Sequence, residues 1–232
     1  MIRLVVGLGN PGKEYERTRH NAGFWLVETY AQASGFVLRK DPKFKALVGK
    51  PAAGAAGSST FFLLPQSFMN LSGQPVQMLA GFFRIKPEEI LVVHDELDFP
   101  PGVARVKQGG GIAGHNGLKD ISQRLGSHDY WRLRLGVGKP PAGTEGGDYV
   151  LHKPSPEERT AIDDAIGRSL QVLPEMLTGD MQAAIQKLHS SEPKPAPEKK
   201  EPPKKEIPVK EPEKQPEPQK SGGLLKSLFG KK

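Results

Sequence analysis

The chain has 232 residues, with 33 Lys and Arg against 26 Asp and Glu and no cysteine, a length that suits one domain with a sizeable core or at most two small ones. Without cysteine there is no disulfide scaffold, thiolate zinc site, iron–sulfur cluster or cysteine nucleophile, and a reducing cytoplasm is the expected compartment. No stretch approaches the ~18–20 apolar residues of a spanning helix, and the charged run at 13–19 follows residues 1–8 too soon for a signal core, so the N-terminus reads as part of the fold.

The first element expected is a strand at 2–8, IRLVVGL, whose continuous apolar run is typical of strands buried on both faces. Residues 21–34 place Phe24, Val27 and Ala31 at helical spacing before Gly35. Residues 44–49 and 60–64 read as two strands joined by a mobile Gly/Ala/Ser-rich loop. A helix over 75–83 carries Val76, Leu79, Ala80 and Phe83, a second buried strand covers 90–94, ILVVH, and a helix over 118–125 ends at Gly126. Residues 131–137 alternate strictly, so Trp131, Leu133, Leu135 and Val137 face the core and Arg132 and Arg134 the other side. Helical periodicity from 155 to 188 is expected to break near Pro174. Strands alternating with helices predict a single three-layer α/β domain over 1–190, its central sheet mixed and mostly parallel.

Composition changes abruptly after Ser190. Residues 191–232 hold 11 Lys and 7 Glu, net +4 of the chain's +7. Residues 192–220 are almost entirely Pro, Lys and Glu, too polar to offset their ordering entropy, so 191–220 reads as a disordered tether. Residues 221–232, SGGLLKSLFGKK, read as a short basic amphipathic tail, either frayed or able to dock on a membrane surface or a partner protein. The remaining +3 on 1–190 implies that any nucleic-acid contact comes from a local patch.

After the first strand, Gly7, Gly9 and Gly12 match the spacing of a dinucleotide-binding turn. Pro11 and the polar stretch behind it delay the helix that fingerprint requires, and the acid expected about 20 residues on is missing, which disfavours a nucleotide-dependent oxidoreductase. A different set of polar residues sits just past the ends of elements: Asn10 and Asp95 after strands, His20 and Asn116 opening helices, Asn70 before the helix over 75–83. A His beside an Asp makes a general base held in one tautomer, and side-chain amides can hold a peptide and steady an oxyanion. Each also has a purely structural account: His20 as a satisfied surface group at a helix start, Asn116 as an N-cap, Asn10 as a turn residue, Asn70 as a loop anchor, and Asp95 with Glu96 and Asp98 as solvated carboxylates or a hard-cation site.

The blocks VVGLGNPGKEYERTRHNAGFWLVE, FMNLSGQPV, LVVHDELDFPPG, GGGIAGHNGLKDI and RLRLGVGKP, in this order over about the first 185 residues, resemble the bacterial peptidyl-tRNA hydrolase family. The resemblance implies a monomeric α/β enzyme that cleaves the ester between a peptide and the 3′ end of tRNA, without metal or cofactor. It implies that His20 is the catalytic histidine and Asp95 the carboxylate orienting it. Asn10, Asn70 and Asn116 correspond to three asparagines lining the cleft, with Asn116 placing the water. Tyr15, Met69 and His115 correspond to cleft residues, and Lys107 and Arg134 to a basic pair that holds the tRNA 5′-phosphate. Ile112 and Pro154 depart from the family's usual residues. A catalytically inactive RNA-binding or splicing cofactor on the same scaffold is the alternative.

Overall fold

A computed structural model describes residues 1–191, so the tether and tail expected at 191–220 and 221–232 lie, Ser191 apart, outside the described residues. Among the described residues seven strands form one sheet: β1 (Leu4–Gly7), β2 (Arg39–Asp41), β3 (Ala46–Gly49), β4 (Phe61–Pro65), β5 (Ile90–Glu96), β6 (Ala104–Gln108) and β7 (Trp131–Gly136), in the spatial order β2-β3-β4-β1-β5-β7-β6. The four central strands β4, β1, β5 and β7 run parallel, and β2, β3 and β6 extend the sheet antiparallel at its two edges.

The apolar runs are buried on both faces because alternate side chains enter two separate cores. Val5 of β1 and Leu91 and Val93 of β5 pack against α1 (Ala22–Ala33), α5 (Pro156–Thr178) and α6 (Met181–Ser190). Leu4 and Val6 of β1 and Ile90 and Val92 of β5 meet α2 (Gly73–Phe83) and α3 (Asn116–Leu125) on the other face. This is the expected three-layer arrangement. A short helix, α4 (Gly146–Val150), precedes α5. No helix among the described residues is long and apolar enough to cross a membrane.

Two glycines at the β1–α1 junction, Gly7 and Gly23, serve backbone packing. A Cβ on Gly7 would lie 2.5 Å from the Gly23 carbonyl oxygen, and one on Gly23 would lie 2.3 Å from that of Val93. Hydrogen bonds Leu8 N to Val93 O (2.9 Å) and Phe24 N to Leu8 O (3.2 Å) lock the same junction. The start of α1 is thereby pressed onto β1 and β5, which brings the preceding 3-10 turn, Arg19–Asn21, over the carboxyl end of β5.

Several elements differ from the sequence-based expectation. β5 runs two residues past His94, so Asp95 lies inside a strand, paired with Leu135, and its backbone is held by the ladder. Helix α3 is capped by the side chain of His115, and Asn116 is its first helical residue. Pro174 does not break the helical stretch where the sequence predicts. It sits inside the 23-residue α5, where buried Val172, Leu173, Met176 and Leu177 offset the lost backbone hydrogen bond. The break comes at Gly179, whose φ of 100° is open to a residue without Cβ, and Asp180 caps α6 by accepting from the Ala183 N–H. The short strands β2 and β6 carry little apolar signal and are set by pairing with their neighbours.

Candidate active site

The 3-10 turn, the end of β5 and the start of α3 meet at one point. His20 Nδ1 lies 2.9 and 3.0 Å from the two carboxylate oxygens of Asp95, and both side chains are buried. The His20 and Asp95 positions, 75 residues apart in sequence, therefore form one hydrogen-bonded pair. Asp95 Oδ1 has a second partner, His115 Nε2, at 3.1 Å.

Local chemistry sets the tautomers. The Nδ1 of His115 accepts the backbone N–H groups of Gly117 and Leu118 (3.2 and 3.4 Å). Backbone amides can only donate, so the hydrogen of the neutral ring is on Nε2 and points at Asp95. His20 gives Nδ1–H to the same carboxylate, which leaves its Nε2 lone pair open as a base. His94, fully buried behind them, donates Nδ1–H to the Asp95 carbonyl oxygen at 2.7 Å.

Electrostatics follows this geometry. Burial alone would lower the pKa of His20, but the charge and hydrogen bond of Asp95 outweigh it and raise the imidazole above its ordinary 6.5. Burial likewise opposes charge on Asp95, yet the two imidazoles hold its carboxyl well below the usual range. For His94 burial prevails, helped by His115 and Arg132, and the ring is pushed down to about 3, so it stays neutral.

Asn10 is held from two sides. Its backbone N–H donates to Asn21 Oδ1 (2.9 Å) and its carbonyl accepts from Asn21 Nδ2 (3.0 Å). Its side-chain Oδ1 accepts the Met69 backbone N–H at 2.7 Å, which leaves Nδ2 as the group able to donate to a ligand. A cleft lined by Asn10, Tyr15, His20, Met69, Asn70 and Asn116 opens on this side of His20, and a second hollow between the glycine-rich loop at 110–116 and α4 opens on the other. Tyr15 meets exposed Phe68 edge-on, with ring centroids 6.3 Å apart. Arg19 ties the α4 wall to the turn that bears His20: its guanidinium donates to the carbonyls of His152 and Lys153, pairs with Glu158 at 2.7 Å and lies 4.1 Å over the Tyr149 ring.

Comparison with known proteins matches this architecture. The family model described as Peptidyl-tRNA hydrolase covers residues 4–197. The chain belongs to the peptidyl-tRNA hydrolase family. Among its relatives, the peptidyl-tRNA hydrolase of Thiobacillus denitrificans is 53% identical over 193 residues, 83% of this chain and 93% of the relative. That of Variovorax paradoxus is 52% identical over 202 residues, covering 87% and 95%. A crystal structure of peptidyl-tRNA hydrolase from Acinetobacter baumannii superposes with a TM-score of 0.79 at 42% identity, over 83% of this chain and 97% of that one.

Of the ten site residues carried over from the family resemblance, eight thus lie around the two openings. Lys107 and Arg134 do not line either one; they lie on the neighbouring antiparallel strands β6 and β7. There Lys107 pairs with Arg132 and Arg105 with Arg134, which puts four cations on one face of the sheet. Lys107 is exposed, while Arg134 donates Nε–H to Glu96 at 2.8 Å and packs over Phe99. Arg132 is buried, its guanidinium donating to the carbonyls of Gly109 and Gly111 and so fixing the glycine-rich loop. Sequence reasoning missed Asn21 and Arg132; the adjacency of Asn21 to His20 was the only hint for the first.

Two cation-site readings do not fit. Asp95 and Glu96 point to opposite faces of β5, the first to imidazoles and the second to Arg134, and Asp98 is exposed. His20, Asp95 and His115 do bring donor atoms within 4.8 Å of one another. However, His115 Nε2 holds the hydrogen that the α3 cap fixes there, so it has no lone pair to give a metal while the cap persists. The GLGNPG turn leads into turns up to Thr18 with no helix at its third glycine, which removes the dinucleotide reading. Ile112, one of the two departures, packs against the α2–α3 core and lines the hollow beside α4.

Proposed function

We propose that the hydrolysis of peptidyl-tRNA, the activity of this family, proceeds here with His20 as the general base. Its Nε2 takes a proton from a water molecule while Asp95 holds the ring and stabilises the imidazolium. The resulting hydroxide attacks the ester carbonyl, and Asn10 Nδ2–H donates to the oxyanion that forms. Asn116 places the water, and Asn70, Met69, Tyr15 and His115 line the region that takes the peptide. As the intermediate collapses, protonated His20 returns its proton to the departing ribose 3′-oxygen, giving free tRNA and a peptide carboxylate. Lys107 and Arg134 hold a tRNA phosphate, a role supported by the cationic face of β6 and β7.

The observation that carries this reading is the buried His20–Asp95 hydrogen bond beside a cleft of side-chain amides. It favours the enzyme over an inactive RNA-binding module, which has no use for a preorganised base. The test incubates the purified full chain with a short N-blocked aminoacyl-tRNA and measures free tRNA. The intact chain releases it and His20→Ala does not, while still binding tRNA; a His20→Ala variant that hydrolyses at the normal rate overturns the assignment.

The reading extends to a monomer acting in the cytoplasm on peptidyl-tRNA, with no cofactor. The composition of 221–232 supports a docking segment for an anionic membrane surface or a partner protein. Light scattering of the full chain, and its co-sedimentation with anionic vesicles compared with a chain ending at Ser190, test the oligomeric state and the tail.

A further inference from the structure

His115 bridges the N-terminus of α3 and the catalytic carboxylate. On one edge its Nδ1 accepts from Gly117 and Leu118; on the other its Nε2–H donates to Asp95 Oδ1 at 3.1 Å, the oxygen that also accepts from His20 at 2.9 Å. Its ring lies 5.0 Å from that of His20 and 5.0 Å from that of His94. We infer that His115, its tautomer locked by capping α3, divides the Asp95 carboxylate between two donors and so holds the basicity of His20 below the level an undivided carboxylate would impose.

The physical reason is that each N–H given to a carboxylate oxygen stabilises its negative charge and weakens it as an acceptor for the other donor. The positive end of the His115 N–H dipole also opposes part of the field that Asp95 projects onto His20. Few other charges compete. On β5, Glu96 is paired with Arg134 of β7, and His94 is neutral. On the 3-10 turn, Arg19 points away to Glu158 of α5. On α4, Asp148 faces His152 at the surface, and Lys119 of α3 is exposed. A base tempered in this way gives its proton more readily to the leaving 3′-oxygen while still accepting one from water near neutral pH.

The catalytic consequence rests on His20 being the base; the coupling from His115 through Asp95 to His20 does not, so the two are tested separately. Two variants separate the edges of the ring. His115→Asn keeps an acceptor near the place of Nδ1 and removes the donor to Asp95. His115→Gln keeps an amide N–H near the place of Nε2 and removes the cap. Imidazole NMR of the ligand-free full chain then follows the titration of His20 directly, beside thermal melting and the pH dependence of kcat/KM.

In His115→Asn the His20 titration and the acidic limb of kcat/KM move to higher pH while Tm stays near that of the parent. In His115→Gln the titration stays in place and Tm falls. The proposal is overturned if His115→Asn leaves the His20 titration unmoved, if His115→Gln moves it as far as Asn does, or if both variants act only by raising KM, which marks a substrate contact instead. A His20 titration that moves as stated while the limb of kcat/KM stays put supports the coupling and assigns the base elsewhere.

Discussion

Asn21 closes a reciprocal pair of hydrogen bonds on the backbone of Asn10, at 2.9 and 3.0 Å, with both residues buried. Asn10 follows the strand and Asn21 opens the helix packed on it, so the pair staples the β1–α1 junction immediately beside His20. Asn21→Ala leaves a buried amide and carbonyl without partners, at a cost of about 1–3 kcal/mol. It also loosens the backbone that carries the Asn10 side chain, which then keeps only its bond from the Met69 N–H. Chemical denaturation should show the lost stability, and steady-state kinetics should show kcat falling more than KM rises. Equal stability and equal kcat would assign the staple no part in either.

With His20 as the proposed base, its raised pKa sets the acidic limit of activity. Because the base must be neutral, kcat/KM falls as pH drops through the folded value, and the limb should therefore lie above 6.5. Asp95→Asn removes the charge that raises it and leaves burial to act alone, so the limb should move to lower pH while the rate at neutral pH drops about 10²- to 10⁴-fold. A pH–rate profile of both proteins decides the point.

His20 and His94 make opposite contributions to stability. The raised pKa of His20 contributes stability that is full below 6.5 and is lost as pH rises through the folded value. His94 refuses a proton that the unfolded chain accepts at about 6.5, so stability falls between there and about 3. The loss from His94 is of the order of 4–5 kcal/mol at the low end. Replacing His94 by Gln should flatten the stability curve between pH 6.5 and 3 in urea titrations, and leave its shape above 6.5 intact.

Gly23→Ala places a Cβ 2.3 Å from the Val93 carbonyl oxygen. Backbone cannot yield as a flexible side chain does, so α1 must lift off the sheet at a cost of about 1–3 kcal/mol. Melting should show the loss, and the lowered kcat that accompanies it should reflect a displaced His20. A variant with parental Tm would mean that the junction is looser than its contacts imply.

Lys107→Ala removes one exposed cation from the face shared by β6 and β7. Binding of tRNA should weaken, and the slope of log affinity against log salt should become shallower by about one unit, because one phosphate contact no longer releases a counterion. An unchanged slope places the phosphate elsewhere.

Burial on one face or two writes its period directly into the residue order, so the buried strands, the amphipathic helices and the composition change after Ser190 were legible from the residues alone. Motif blocks added the family and, through it, the candidate residues. The edge strands β2 and β6 were not legible, since their backbones are held by neighbours and their side chains carry no periodic signal. Neither was the course of α5 through Pro174, where packing outweighs a local breaker.

Which hydrogen sits on which imidazole nitrogen, and which amide atom of Asn10 faces a ligand, emerged only from the folded chain. For Asn10 the choice depends on the Met69 amide, brought from 59 residues away. For the imidazoles it depends on Asp95, which lies 75 residues from His20 and 20 from His115. A hydrogen bond has direction as well as composition, and direction exists only once the donor and the acceptor have been folded to within about 3 Å of each other.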